Sequence, residues 1–179
     1  NHNGDLKLAK KLIDVAADAG ADAVKFQTFN PDTLVTEASA KADYQTNNKD
    51  GAHASQYEML KRLILPRQWH GELKKYAEKK GLIFLSTPFS LDDAVFLRKL
   101  GVKAIKVGST DTENLPYLSE IARWKIPIIL STGMSALPEI KEAVKTIKKA
   151  GNNKLIVLHC TTNYPTPYEE ANLLAITTL

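Results

Sequence analysis

Two short segments carry a lysine inside a run of residues that otherwise resembles a buried β-strand. The segments are "AVKFQTF", which contains Lys25, and "AIKVGS", which contains Lys106. A lysine is rarely buried without a partner, so two of them at matching positions in separate strands need a reason. Ammonium groups form charge-assisted hydrogen bonds to phosphate and carboxylate groups. The pattern therefore favours a site for a ligand with concentrated negative charge.

Each inferred strand is apolar at its start and polar at its end. The polar residues at these ends are Lys25, Gln27, Ser86, Thr87, Lys106, Ser109, Ser131, Thr132, His159, Thr161 and Thr162. Because residues two apart in a strand point the same way, Val24 and Phe26 are predicted to face outer helices while Lys25 and Gln27 face the interior. The C-terminal ends of parallel strands meet at one mouth, where barrel enzymes hold their chemistry.

The residues alone leave two other interpretations of the lysines open. In the first, Lys25 and Lys106 extend to the barrel rim and bind nothing. In the second, one of them forms a Schiff base with a carbonyl substrate, as in aldolases, with its pKa lowered by the neighbouring cation.

The elements that must position these residues alternate between helix and strand. Apolar residues at helical spacing predict a first helix from Asp5 to Ala19, and a second pattern predicts a helix from Pro66 to Lys80. Their predicted apolar positions are Leu8, Leu12, Val15, Ala19, Trp69, Leu73 and Tyr76. From Leu82 onward strands and helices follow each other at short, regular intervals, and Ser90 is predicted to cap a helix with Asp93 three residues later.

This order predicts a parallel sheet built from right-handed βα units. No G-x-G-x-x-G motif follows any strand, so a dinucleotide-binding Rossmann fold has no support. The predicted fold class is α/β, a (β/α)8 TIM barrel, present here as an incomplete barrel of about five βα units. Residues 1–179 are predicted to form a single partial barrel domain.

Composition excludes several classes of protein. The 179 residues are 44% hydrophobic and 25% charged, as in ordinary globular domains. The net charge of +4 comes from lysines that sit mostly on helix faces, so nucleic acid is not an expected partner. No apolar run approaches the length of a membrane span and no signal region opens the chain, which predicts a cytoplasmic location. The single cysteine, Cys160, excludes an internal disulfide.

Five sequence blocks together resemble the N-acetylneuraminate (sialic acid) synthase family, including legionaminate and pseudaminate synthases. The blocks are "NHNGDLKLAKKLIDVAADAGADAVKFQTF", "FLSTPFS", "IKVGS", "IILSTGM" and "LHCTTNYPTPYEE", and they occur in order over almost the whole chain. The resemblance implies a metal-dependent condensation of phosphoenolpyruvate with an N-acetylated mannosamine-type aldose. The products would be a nine-carbon 2-keto sugar acid and phosphate.

The resemblance also implies roles for residues of this chain. Lys25, Lys106 and Asp111 would be the catalytic residues, with the two lysines binding phosphoenolpyruvate and Asp111 standing where many relatives have a glutamate. Gln27 and Tyr164 would face the sugar. The residues expected to complete the ligand contacts are Thr87, Ser109, Ser131 and Thr162, with Asn163 as the alternative to Thr162.

Other parts of the family site are expected outside these residues. A glutamate is expected on a strand before Asn1, and two metal-binding histidines and a small antifreeze-like domain are expected after Leu179. The complete enzyme is expected to use a divalent metal, Mn or Mg, and to be a homodimer, and the 179 residues alone are expected to lack activity. The aldose is left open among N-acetylmannosamine, its 6-phosphate and a diacetamido-trideoxy sugar. A lysine Schiff-base aldolase and a catalytically silent barrel fragment are the alternative functions.

The remaining candidates are weaker. His159 and Cys160 are adjacent on a strand and point to opposite faces, so they are not a nucleophile pair. His2 is expected either to structure its loop or to contact substrate, and His53 and His70 are expected to be surface or packing residues. The polar segment from residue 36 to 58 is long for a connection, which is typical of a lid or a binding loop.

Overall fold

The chain forms alternating helices and parallel strands, as the sequence predicts. A computed structural model describes residues 1–41 and 55–179. Its strands are β1 (Ala23–Thr28), β2 (Ile83–Pro88), β3 (Ile105–Val107), β4 (Ile128–Ser131) and β5 (Leu155–Leu158). Its α-helices are α1 (Leu6–Asp18), α2 (Pro31–Leu34), α3 (Gln56–Lys61), α4 (Arg67–Lys79), α5 (Leu91–Leu100), α6 (Leu115–Ala122) and α7 (Leu137–Lys149). Short 3-10 segments cover Ser109–Asp111, Tyr168–Glu170 and Leu173–Thr177.

The chain divides into two compact units, Asn1–Phe89 and Ser90–Leu179. In the first unit β1 pairs with β2 in parallel, α4 packs on β2 and α1 packs on α4. In the second unit the strand order is β3-β4-β5, again parallel, and α6 packs on α7. The fully buried core side chains of the second unit include Ile105, Val107, Leu118, Ile121, Ile128, Leu130 and Ile147.

Local signals placed several helix ends correctly. The Ser90 Oγ accepts a hydrogen bond from the Asp93 amide at 3.0 Å and donates to the Asp93 carboxylate at 2.8 Å, so it caps α5 as predicted. The same helix ends at Gly101, which adopts a positive φ of 78°.

The buried face of α1 lies about one residue away from the predicted one, whereas in α4 the predicted Leu73 is buried and the other two buried positions each lie one residue beyond the predicted ones. In α1 the buried residues are Ala9 and Ile13, whereas Val15 is 56% exposed. In α4 they are His70, Leu73 and Ala77. Both small residues, Ala9 and Ala77, and larger ones, Ile13 and Leu73, are fully buried, so helical periodicity located the buried face only to within about one residue.

A buried chain of hydrogen bonds joins β1, β2 and α4. His70 Nδ1 lies 3.1 Å from the Pro66 carbonyl oxygen, Nε2 lies 2.8 Å from Thr28 Oγ1, and Thr28 Oγ1 lies 2.7 Å from Ser86 Oγ. A carbonyl only accepts, so Nδ1 carries the hydrogen in the neutral ring and Nε2 accepts from Thr28. Ser86 then donates to Thr28. Of the two expected roles for His70, surface or packing residue, the structure confirms packing, because the residue is 0% exposed.

Replacing His70 with phenylalanine should destabilise the protein by about 2 kcal/mol, because the buried Thr28 hydroxyl would lose the acceptor for its hydrogen and the Pro66 carbonyl would lose the donor on the ring. The measurement is the free energy of unfolding from urea denaturation. His70→Gln is the matched control, since its amide keeps one donor and one acceptor, and it should lose clearly less. A smaller loss for His70→Phe than for His70→Gln would show that ring packing, and not hydrogen bonding, matters at this position.

Candidate active site

Lys106 is the more buried of the two predicted ligand-binding lysines, Lys25 and Lys106, with 9% of its surface exposed. In the parallel register Lys106 lies beside Ile129, so its side chain shares a face with Ile129 and, two residues on, with Ser131. The Lys106 Nζ donates to Ser131 Oγ at 2.5 Å and to the Val107 carbonyl oxygen at 2.7 Å. The structure thus brings together two residues that the sequence assigned to one site.

Hydroxyl groups hold the backbone at the end of β4. Thr112 Oγ1 donates to the Ser131 carbonyl oxygen at 2.8 Å, and Thr132 Oγ1 donates to the Leu158 carbonyl oxygen at 2.8 Å. These bonds tie the loop after β3 to β4, and the loop after β4 to β5. Thr112 was missed by sequence reasoning because a threonine in a loop has no distinguishing pattern.

Lys25 and Gln27 lie on one face of β1, and Phe26 and Thr28 lie on the other, as the alternation predicted. Phe26 stacks on Phe84 with ring centroids 5.6 Å apart and is 7% exposed. Both Lys25 and Gln27 remain exposed, but surrounding atoms remove enough water from the Lys25 ammonium to lower its pKa.

Of the two polar residues that end β2, only Thr87 shares the face of Lys25 and Gln27. The register pairs Thr87 with Gln27 and Ser86 with Phe26. Ser86 instead bonds Thr28 in the chain of hydrogen bonds that leads to His70. The expectation that Ser86 belongs with the ligand-facing polar groups was therefore wrong, because neighbouring strand residues point to opposite faces.

Ser109 and Asp111 follow β3 in a 3-10 turn. Both are partly buried, and the Asn114 amide donates to the Asp111 carboxylate at 3.4 Å. Burial raises the Asp111 pKa, an effect that hydrogen bonds from Asn114 and Thr110 oppose. Burial therefore makes the charged form of the Asp111 carboxylate less favourable than it would be in water.

The segment after β5 is the most exposed part of the predicted site. Thr162 is exposed, and Tyr164 is 63% exposed. The alternative to Thr162, Asn163, donates its side-chain amide to the Glu170 carboxylate at 3.3 Å. That bond engages Asn163 within its own loop.

His2 is buried, and its Nδ1 accepts a hydrogen bond from the Gly4 amide at 3.1 Å. The loop-structuring role left open by the sequence therefore has a contact that supports it. Of the predicted lid, residues 42–54 lie outside the described part of the chain, and so does His53.

The sequence profile of the NeuB family matches residues 12–179. The chain belongs to the NeuB family. It is 48% identical to the N,N'-diacetyllegionaminic acid synthase of Legionella pneumophila, covering 100% of this chain and 51% of that protein. It is 35% identical to a pseudaminic acid synthase of Campylobacter jejuni, covering 100% of this chain and 52% of that protein.

A solved structure supports the same assignment. The N-acetylneuraminic acid synthetase of Leptospira borgpetersenii, crystallised in complex with citrate, superposes with a TM-score of 0.82 at 34% identity. That superposition covers 99% of this NeuB chain and 57% of the other chain. The chain spans about half the length of the curated NeuB relatives it matches.

Two cavities border the predicted residues of this NeuB chain. One, of about 290 Å³, lies in the first unit and is lined by residues that include Lys25, Gln27, His2 and Leu12. The other, of about 510 Å³, lies in the second unit and is lined by residues that include Thr132, His159 and Cys160, but not by Lys106 or Ser131. The 510 Å³ cavity is therefore adjacent to the Lys106–Ser131 contact, through Cys160, without containing it.

In residues 1–41 and 55–179, no group of three or more His, Cys, Asp and Glu residues is arranged to hold a metal ion. In the same residues, no helix has the length and apolar character needed to cross a membrane.

Replacing Asp111 with asparagine should stabilise this NeuB protein at neutral pH. The pKa of Asp111 is higher in the folded than in the unfolded protein, so the folded protein binds this proton more tightly. The free energy of unfolding therefore falls as pH rises from the unfolded-state pKa through the folded-state pKa. The variant escapes this loss, so its unfolding midpoint in urea should exceed that of the wild type at pH 7. The two proteins should converge near pH 3, and a difference that is independent of pH would contradict this reading of Asp111.

Proposed function

We propose that the protein condenses phosphoenolpyruvate with an N-acetylated mannosamine-type aldose to give a nine-carbon 2-keto sugar acid and phosphate. The observation that carries the proposal is the buried contact between Lys106 and Ser131, a cation and a hydroxyl at the ends of neighbouring parallel strands. Membership of the NeuB family supports it, since synthases named for legionaminic, pseudaminic and N-acetylneuraminic acids are similar to this chain in sequence.

In this proposal the chain's residues act by binding and orientation. Lys106 and Ser131, with Ser109 and Thr87, bind the phosphate and carboxylate groups, and Lys25 provides a second cation. Gln27, Thr162 and Tyr164 face the sugar. Holding the enol carbon beside the aldehyde replaces a bimolecular encounter by a reactive arrangement of the two groups.

The bonds change as follows. The terminal enol carbon of phosphoenolpyruvate forms a bond to the aldehyde carbon, and the aldehyde oxygen takes a proton. Water adds to the resulting oxocarbenium carbon and loses a proton, and the carbon–oxygen bond to phosphate then breaks to leave the 2-keto acid. Lysine ammonium groups near the phosphate and carboxylate stabilise the negative charge throughout.

We also propose that the two parallel sheets belong to one (β/α)8 barrel, of which residues 1–179 supply about five βα units. The parallel register and the separation of apolar and polar faces support this architecture. A dimer and a cytoplasmic location belong to the same proposal. A divalent metal, Mn or Mg, is expected in the whole protein, with its ligands expected outside residues 1–179.

The test is a coupled assay of phosphate release with the whole protein, phosphoenolpyruvate and each of several aldoses. Release that requires both the phosphoenolpyruvate and one N-acetylated aldose supports the proposal and identifies the sugar. No release with N-acetylmannosamine, its 6-phosphate or a diacetamido-trideoxy aldose, in the presence of Mn or Mg, would refute it.

A Schiff-base aldolase is the second candidate because burial lowers the pKa of Lys25, and a neutral amine is the nucleophile that this chemistry needs. Borohydride reduction distinguishes the two functions. A substrate adduct trapped on Lys25 or Lys106 favours the aldolase, and phosphate release that depends on phosphoenolpyruvate excludes it.

A further inference from the structure

The Ser131 hydroxyl receives hydrogen bonds from two sides. Its Oγ lies 2.5 Å from Lys106 Nζ and 3.3 Å from Cys160 Sγ. An ammonium only donates, and the thiol donates its hydrogen to the hydroxyl oxygen, so both contacts use Ser131 as the acceptor. A hydroxyl has two acceptor lone pairs and one hydrogen of its own. Both lone pairs are therefore occupied.

The remaining hydrogen of Ser131 must point away from Lys106 and Cys160. Throughout residues 1–41 and 55–179 no acceptor bonds this hydrogen, although Ser131 is only 8% exposed. A buried donor without an acceptor costs free energy. An oxygen atom of a bound phosphate or carboxylate would remove that cost.

The segment that carries Cys160 packs closely against Gly133 in the loop after β4. A Cβ added at Gly133 would lie 3.2 Å from the Cys160 Cβ and 3.0 Å from the Thr161 carbonyl oxygen, so the loop after β4 already touches the segment that carries Cys160. Cys160 and Gly133 both line the 510 Å³ cavity. The Cβ of Cys160 has little room to move toward Gly133, and small reagents have a route to Cys160 from the cavity.

We propose that Cys160 is a positioning residue of the anion site. Its thiol occupies the second lone pair of Ser131 and thereby directs the hydroxyl hydrogen toward an oxygen atom of bound phosphoenolpyruvate. The inference rests on the proposed function, because it takes phosphoenolpyruvate to bind at Ser131. Cys160 itself touches no reacting atom, so its effect is confined to the orientation of the Ser131 donor.

Two substitutions separate this role from simple packing. Cys160→Ser keeps a donor at the same position, and Cys160→Ala removes it. Measured by steady-state kinetics on the whole protein, Cys160→Ala should raise the KM for phosphoenolpyruvate by about three- to tenfold, the range of one neutral hydrogen bond. The KM for the aldose should be unchanged, and Cys160→Ser should stay within about twofold of the wild type.

Combining the substitutions at Cys160 and Ser131 tests the proposal more directly than the single substitutions do. If Cys160 acts through Ser131, then Cys160→Ala should add no further loss in a protein that already carries Ser131→Ala, because the two positions form one unit. Additive losses would overturn the inference. So would equal effects of Cys160→Ala and Cys160→Ser in the otherwise unchanged protein.

A readout that does not depend on turnover is available because Cys160 is the single cysteine of this chain. The rate of its alkylation by iodoacetamide should fall when phosphoenolpyruvate is bound, and mass spectrometry of the peptide that contains Cys160 measures it without interference from other thiols. Protection in the wild type together with an unchanged KM in Cys160→Ala would overturn the positioning role alone. Neither protection nor phosphate release in the wild type would overturn the proposed function, and this inference with it.

Discussion

Replacing Lys106 with methionine is expected to lower phosphoenolpyruvate-dependent phosphate release by about 10²- to 10³-fold, the range seen when one preorganised donor to a developing charge is removed. Lys106 is 9% exposed and its ammonium donates to two oxygen atoms, so its charge acts where water screens it little. The measurement is kcat/KM for phosphoenolpyruvate in the whole protein.

Two controls distinguish lost chemistry from lost structure. Lys103→Met removes an exposed lysine from the same βα unit and should leave kcat/KM within about twofold, since surface substitutions are usually near neutral. The Lys106→Met protein should unfold at a urea concentration equal to or above that of the wild type, because methionine replaces a buried charge with an apolar chain of similar length. Equal activities of the two lysine variants would exclude Lys106 from the site.

Replacing Lys25 with methionine should have an effect of similar size, and its pH dependence identifies the role of this lysine. The pKa of Lys25 is lowered by burial, so its positive charge is lost at a lower pH than that of an ordinary lysine. If the ammonium binds phosphoenolpyruvate, kcat/KM of the wild type should fall as pH rises through this lowered pKa. Lys25→Arg should be less active at pH 7, because the two head groups differ in shape, but it should keep its activity to higher pH.

The Schiff-base alternative predicts the opposite trend for Lys25. Activity would rise as the amine loses its proton, and Lys25→Arg would be inactive at every pH because a guanidinium does not form the adduct. Lys11→Met, at an exposed position of α1, is the control for removal of a positive charge. A wild-type profile that rises on the alkaline side would therefore argue against phosphoenolpyruvate binding by Lys25.

The order of helices and strands could be predicted because each element carries its own periodic signal. The contact between Lys106 and Ser131 was also within reach of the sequence, since strand alternation places both on one face once β3 and β4 pair in parallel. The roles of these residues toward ligand are carried by the family resemblance and stay predictions.

Other features depend on register and packing that no local pattern encodes. Ser86 and Thr87 are adjacent and polar, and only the pairing of β2 with β1 decides that Thr87 faces Gln27 while Ser86 faces Thr28. His70 resembles any helical histidine until its distance to Thr28 is known. Cys160 was considered only as a partner of His159, because its contact with Ser131 joins residues 29 positions apart.

The two threonine bonds at the strand ends bear on how this scaffold can be altered. Thr112 holds the Ser131 carbonyl and Thr132 holds the Leu158 carbonyl, so the last residues of β4 and β5 are anchored by groups at the base of the loops. Loop tips above these anchors can change in length and sequence without moving the strand ends. If the protein is the proposed synthase, grafting loop tips between relatives is expected to exchange sugar selectivity, provided that both threonines are transferred or retained.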